Sequence, residues 1–236
     1  FFHCELDRKL NKTYAAALNE LEDLYYSEDD SFTRQSNMLA IMTKMRQVTA
    51  IGKVDQCVDF VTEFLMSNER KITVFTHHEI ATDQLIAKLN TWLEANGFKP
   101  LLHLHSGLDQ IKRQQLLTVF KDTDHRVMIA STLAAGEGLN IQFCADAVMF
   151  ERQWNPANEE QAEGRFHRFG QTYPVSITYM IASETIDEYF TELVESKRAI
   201  VKATLDNKDI QWDQSSLMSE LANILISKGR KSWSMK

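Results

Sequence analysis

From residue 53 onward the chain alternates short β-branched and apolar runs with longer helical patterns, and few folds accommodate that alternation. Ile72-Thr73-Val74-Phe75, Leu101-Leu102-His103-Leu104, Val127-Met128-Ile129-Ala130, Ala147-Val148-Met149-Phe150 and Val175 to Ile181 read as strands. Between them, residues 53–67, 79–95, 109–121, 156–169 and 184–205 carry helical spacing. In the second of these, Ile80, Leu85, Ile86, Leu89 and Leu93 share a face, and Asn96-Gly97 closes the helix. Strands separated by helix-length segments pair in parallel, because a parallel pair needs a long crossover. The expectation is an α/β fold, a parallel sheet with helices on both faces in three layers. Right-handed crossovers then gather the loops that follow the strands on one edge.

The first 50 residues follow another pattern. Leu10, Tyr14, Ala17, Leu18, Leu21 and Leu24 form one helical stripe, and Met38, Ile41, Met42, Met45 and Val48 form a second. An acidic turn from Ser27 to Ser31 separates them, and no strand signal appears. The expected organisation is a helical region at 1–50, the α/β region at 51–205 and a helical extension at 206–236.

Several classes drop out. Eight Gly and three Pro in 236 residues exclude collagen-like and linker-like chains. No run reaches the roughly 18 to 20 apolar residues of a membrane helix. Cys4, Cys57 and Cys144 form no CxxC or zinc spacing and read as reduced intracellular thiols. There is no HExxH, so metal catalysis finds little support. The net charge of −7, with no basic arm, argues against an autonomous basic nucleic-acid-binding domain. A chain that opens on Phe reads as a piece of a longer one.

Ligands of open α/β sheets bind outside the carboxyl ends of the strands. The loops there are Thr76-His77-His78-Glu79, His105-Ser106-Gly107, Ser131 to Gly138, and Glu151-Arg152-Gln153-Trp154-Asn155-Pro156. Hydroxyls and main-chain N–H groups in such loops suit phosphate oxygens, although any one of them also fits an ordinary turn. Gly136-Glu137-Gly138 is no dinucleotide fingerprint, and no GxxxxGK(S/T) is present. The helix from 156 is the most informative element. Asn155 suits an N-cap and Pro156 a first helical position. Ala162, Phe166 and Phe169 make an apolar stripe; Gln161, Arg165 and Arg168 make the stripe beside it. Two guanidiniums so placed suit phosphate. Surface arginines bridging Glu160 or Glu163 fit the spacing equally well.

Gln161-Ala162-Glu163-Gly164-Arg165-Phe166-His167-Arg168-Phe169-Gly170-Gln171 resembles the QAxxRxHRxGQ motif of SWI/SNF-type ATPases, helicase-like DNA translocases of superfamily 2. Trp154-Asn155-Pro156 is similar to the WNP preceding it there. Ser131 to Asn140 resembles STxAGGxGLN, with Ala135 in place of the first Gly and Glu137 where an apolar residue is common. Phe75-Thr76-His77 and His105-Ser106-Gly107 resemble two shorter motifs of the family, and the first 50 residues resemble its helical inter-lobe linker. The resemblance implies a second RecA-like lobe, extending to about residue 205, whose first lobe, with phosphate loop and magnesium motif, lies elsewhere.

The resemblance further implies ATP held between two lobes, with Mg²⁺ held mainly by the first. Arg165 and Arg168 would reach the γ-phosphate, Arg168 as arginine finger, and Gln161, Gly136 and Glu137 would complete this side of the cleft. Thr76, His77, Ser106, Gly107, Ser131 and Thr132 would contact the sugar-phosphate backbone of duplex DNA, Arg113 would touch phosphate, and Trp154 would contact or support the tracking strand. For Arg113 an ion pair within the lobe competes with that role. Nucleosomes or repair factors are possible protein partners, in chromatin remodelling or DNA repair. An RNA-directed ATPase and a non-catalytic interaction module are the competing readings. The expected location is intracellular: the nucleus in a eukaryote, the cytoplasm in a prokaryote or phage.

Overall fold

A computed structural model describes residues 1–27, 31–132, 140–154, 156–167, 170–203 and 214–233. The elements are β1 (Phe2–Cys4), α1 (Arg8–Tyr25), α2 (Ser31–Ser67), β2 (Ile72–Thr76), α3 (Glu79–Ala95), β3 (Leu102–Leu104) and α4 (Gln110–Asp122). There follow β4 (Val127–Ser131), β5 (Asp146–Met149), α5 (Pro156–Gly164), β6 (Ser176–Ala182), α6 (Ile186–Ala203) and α7 (Gln214–Trp233).

The six strands form one sheet in the order β1-β6-β5-β2-β4-β3. The pairs β2–β4, β2–β5, β3–β4 and β5–β6 are all parallel. β2 and β5 are buried at every position, the pattern of strands covered on both faces. The expected α/β architecture is therefore present. Three local expectations need correction. Phe2–Cys4 adds a strand where no strand pattern was visible, because three residues are too few to show alternation. The stripe at 38–48 and the helix at 53–67 belong to one 37-residue helix, α2. α5 stops at Gly164 rather than running to 169.

The chain forms two compact units. One comprises residues 1–2, 53–153 and 157–180 and holds most of the sheet; the other comprises residues 3–52, 154–156 and 181–236. This division differs from the three expected segments. Residues 184–203 were expected with the sheet, yet Phe190, Leu193 and Val194 of α6 join the apolar core of α1, α2 and α7. In that helical unit, Asp7 caps α1 by accepting from the N–H groups of Lys9 (2.7 Å) and Leu10 (2.8 Å). The Tyr14 hydroxyl accepts the N–H of Ile186 at the start of α6 (2.6 Å), and burial pushes its ionisation well above the usual tyrosine range.

In the sheet unit, Phe75, Leu117, Phe120, Met128, Ile141, Met149 and Phe166 build one core. The Asn96-Gly97 closure of α3 forms as expected. Gly97 takes a φ of 75°, Phe98 N–H reaches Leu93 O (2.9 Å) and Gly97 N–H reaches Glu94 O (3.2 Å). These are the two bonds of a Schellman cap. All three cysteines are buried free thiols, and burial pushes Cys144 up to about 11.

Candidate functional site

Parallel pairing fixes which loops share an edge. Thr76 lies beside Ser131, Phe75 beside Ala130 and Met149, Leu104 beside Ala130, and Tyr179 beside Met149. The segments after β2, β3, β4 and β5 thus leave the sheet from one edge, as the topology requires.

At its centre Thr76 and Thr132 are buried, and the Thr132 hydroxyl donates to Thr76 O (3.3 Å). These hydroxyls brace two neighbouring loops. His77 is exposed and Ser131 half-buried. The main-chain N–H groups of His77 and His78 do not face outward for an anion. Both donate to Glu151 Oε2, at 2.8 and 3.0 Å, and Glu151 Oε1 meets His78 Nδ1. An internal carboxylate thus occupies the N-terminus of α3, where helix dipole and N–H groups favour negative charge. Glu151→Gln sets an amide against those donors. It is expected to lower stability by about 3 kcal/mol, read from the urea midpoint at constant slope.

Along β3, Ser106 and Gly107 are exposed in the following turn. Arg113 donates to Ser106 O (2.9 Å), so this guanidinium supports the turn through its backbone. Gly107 N–H donates to His105 Nδ1 (3.2 Å), and the rings of His103 and His105 lie 5.1 Å apart. Burial, reinforced by His105 and opposed by Asp83, pushes the His103 imidazole below its ordinary 6.5. A depressed histidine is neutral in the fold and protonates more readily when unfolded. Its stabilisation is present above pH 6.5 and is lost as pH falls through the folded-state value. The melting temperature is expected to fall from pH 7 to pH 5, and His103→Gln to flatten that slope.

α5 is held from two sides. Ala162 and Phe166 are fully buried, and Phe166 packs edge-on against Phe75 with ring centroids 6.0 Å apart. The apolar stripe read from the sequence is therefore real for these two residues. On another face, Glu159 is entirely buried and accepts Arg152 Nε (3.0 and 3.1 Å), Arg152 Nη2 (2.8 Å) and Gln153 N–H (2.7 Å). Four residues on, Glu163 accepts the Tyr179 hydroxyl, and the Arg152 guanidinium lies 4.5 Å from the Tyr179 ring. Gln161 is exposed and Arg165 half-buried. Past Gly164 the chain tightens: Arg165 N–H reaches Ala162 O and Phe166 N–H reaches Glu163 O, both at 3.1 Å. Arg165 thus sits in a tight turn after α5. Arg168, Gly136 and Glu137, with Asn155 and Phe169, lie outside the described residues.

Trp154 belongs to the helical unit. Its ring packs on Phe190 (4.8 Å) and lies 5.1 Å from the Arg46 guanidinium. Sequence reasoning passed over Glu151 and the Arg152–Glu159 pair. Their signal was present: charged residues directly after an apolar strand have to find partners when buried. It also missed Gln171, whose side chain donates to Cys144 O (3.0 Å) and accepts Tyr173 N–H (3.1 Å), fixing the end of its motif.

The helicase conserved C-terminal domain matches residues 52–170, half of the chain. The chain belongs to this family. Over 176 residues it is 31% identical to the DNA annealing helicase and endonuclease ZRANB3 of Mus musculus, covering 72% of this chain and 16% of that protein. Over 153 residues it is 33% identical to the SWI/SNF-related matrix-associated actin-dependent regulator of chromatin subfamily A-like protein 1 of Xenopus tropicalis, covering 63% of this chain and 15% of that protein. The solved Sulfolobus solfataricus SWI2/SNF2 ATPase core in complex with dsDNA superposes with a TM-score of 0.72 at 22% identity, over 96% of this chain and 48% of that one. The chain is thus a helicase C-terminal domain with the RecA-like fold of a SWI2/SNF2 ATPase lobe, and it is similar to helicases of the SWI/SNF type. Among the described residues no helix is long and apolar enough to cross a membrane, and no three His, Cys, Asp or Glu side chains form a metal cluster.

Proposed function

We propose that this lobe is the C-terminal half of a DNA-dependent ATPase motor, in which a first RecA-like lobe and this one hydrolyse ATP between them and move along duplex DNA or remodel protein–DNA complexes. The observation that carries the reading is α5. Ala162 and Phe166 are buried, while the neighbouring Gln161 and Arg165 stay accessible at its end. That arrangement offers hydrogen-bond donors to a polyphosphate from a fixed base. In this reading Arg165 and Arg168 face the γ-phosphate, with Arg168 as the finger, and Gln161, Gly136 and Glu137 line this side of the cleft. Mg²⁺ prefers carboxylate and phosphate oxygens. Glu151 and Glu159 at this edge are committed to His78 and Arg152, so the ion belongs with the first lobe. Helices of residues 1–50 act as the inter-lobe linker.

On the DNA side, His77, Ser106, Gly107 and Ser131 contact sugar-phosphate, Thr76, Thr132 and Arg113 support those contacts from within, and Trp154 contacts or supports the tracking strand. The duplex DNA of the Sulfolobus structure supports this choice of ligand. Phosphate contacts carry no sequence information, so binding is sequence-tolerant. The isolated lobe is expected to bind duplex DNA weakly and with strong salt dependence. Remodelling or repair, with nucleosomes or repair factors, would be selected by further domains, in the nucleus of a eukaryote or the cytoplasm of a prokaryote or phage. Turnover of the full-length protein without nucleic acid, with duplex DNA and with RNA tests the proposal. Stimulation by duplex DNA is expected. Stimulation by RNA alone identifies an RNA motor, and absence of turnover a non-catalytic interaction module.

A further inference from the structure

We infer that Arg152 and Glu159 are positioning residues that set the rotation of α5 and so aim the arginine-bearing turn at its end; the inference rests on the ATPase reading above. The apolar stripe alone does not define that rotation. Ala162 and Phe166 press α5 onto the core, but such contacts are non-directional and tolerate rolling about the helix axis. The Glu159 carboxylate is directional. It receives Nε and Nη2 of one guanidinium and the N–H of Gln153, all within 3.1 Å. The Arg152 and Glu159 side chains are 3% and 0% exposed, so water does not loosen this geometry. Arg152 and Gln153 follow β5 by three and four residues, which ties the carboxylate to the sheet edge itself. One turn further along α5, Glu163 takes the Tyr179 hydroxyl of β6, and Arg152 lies over that same ring. Glu159 and Glu163, spaced i and i+4, share a face of the helix. Glu159 is held by the segment just after β5 and Glu163 by β6, and a helix gripped at two successive turns on one face cannot roll. Gln161 on α5 and Arg165 in the tight turn that follows it are then carried at fixed positions.

Stability alone would not require an ion pair here. An apolar pair of similar volume commonly replaces a buried ion pair without loss of stability. That difference supplies the test, made in the full-length protein with duplex DNA. Glu159→Gln should lower kcat for ATP hydrolysis about 10- to 100-fold with KM little changed, because a small misplacement of a stabilising group costs rate rather than ground-state binding. The double variant Arg152→Met, Glu159→Leu should regain the wild-type melting temperature while kcat stays low. Recovery of both in the double variant overturns the inference, since the pair would then serve only packing. Wild-type kcat in a folded Glu159→Gln protein overturns it as well. A wild-type protein without DNA-stimulated turnover overturns the functional reading, and this inference with it.

Discussion

Removal of the Arg168 guanidinium by Arg168→Ala in the full-length protein is expected to lower DNA-stimulated ATP hydrolysis by about 10³-fold or more, while ATP binding is largely spared. The size follows from the chemistry. Phosphoryl transfer leaves a protein little covalent work, so rate comes from placing positive charge where negative charge develops. A guanidinium that meets the γ-phosphate only as the bond breaks contributes to kcat and little to affinity. Arg168→Lys keeps the charge but loses the planar fork, and is expected to recover only a minor part of the rate. Single-turnover hydrolysis with ATP affinity measured separately reads both quantities. Turnover unchanged in Arg168→Ala would remove this residue from the finger role and leave Arg165 as the candidate. Arg165 is the harder residue to interpret. It sits in a tight turn, half-buried, where its backbone N–H holds Ala162 O. Loss at that position combines charge with local structure, so its variant needs a stability measurement beside the rate.

The sheet was legible because its signal is repeated. β2, β4 and β5 are short apolar runs buried on both faces, and α3 and α4 lie between them, α3 closed by the Asn96-Gly97 bonds read from the sequence. Each element also constrains the next, since parallel strands need crossovers. β1 escaped because three residues show no period. The continuity of α2 escaped because the helix passes from the helical unit to the sheet unit at Lys53, and its apolar stripe changes there. A change of stripe reads as a break in the helix when only the pattern is visible. α5 was overextended for a related reason. Its i, i+4, i+7 spacing continues through Phe169, yet Gly164 weakens helix propensity and the chain tightens there.

The site was half legible. Exposed residues such as His77, Ser106 and Gln161 followed from loop position and motif. Thr76 and Thr132 look identical in type but are turned inward, which depends on the neighbouring strand. Arg113 donates to the backbone carbonyl of Ser106, and sequence cannot show a partner of that kind. Long-range ion pairs are hidden for the same reason. Carboxylates that reach main-chain donors are hidden too: Glu151 accepts the N–H of His77 from 74 residues away, a partnership created by the pairing of β5 with β2.

Phe166→Ala separates anchoring from chemistry on the same helix. Phe166 is fully buried, packs edge-on against Phe75 and belongs to the core shared with Met149 and Ala162. Truncation removes its transfer free energy and leaves a cavity, an expected loss of about 3–5 kcal/mol. Total stability is commonly about 5–15 kcal/mol, so the loss takes a large share of it. The urea midpoint should fall with the slope unchanged, the mark of a stability change without a change in compactness. Phe166→Leu retains most of the apolar contact and should cost far less. The arginine variant should show the opposite profile: Arg168→Ala loses rate at an unchanged midpoint, whereas Phe166→Ala loses midpoint first. Phe166→Ala should also lose rate at temperatures where the fold persists, because the turn carrying Arg165 rests on that ring. Its N–H closes the turn to Glu163, and the arginine precedes it by one residue. A Phe166→Ala protein that is folded, destabilised and of normal turnover would mean that the ion-paired side of α5 suffices to aim the turn. One that is folded and slow would mean that the aim needs both supports, the directional pair and the apolar base.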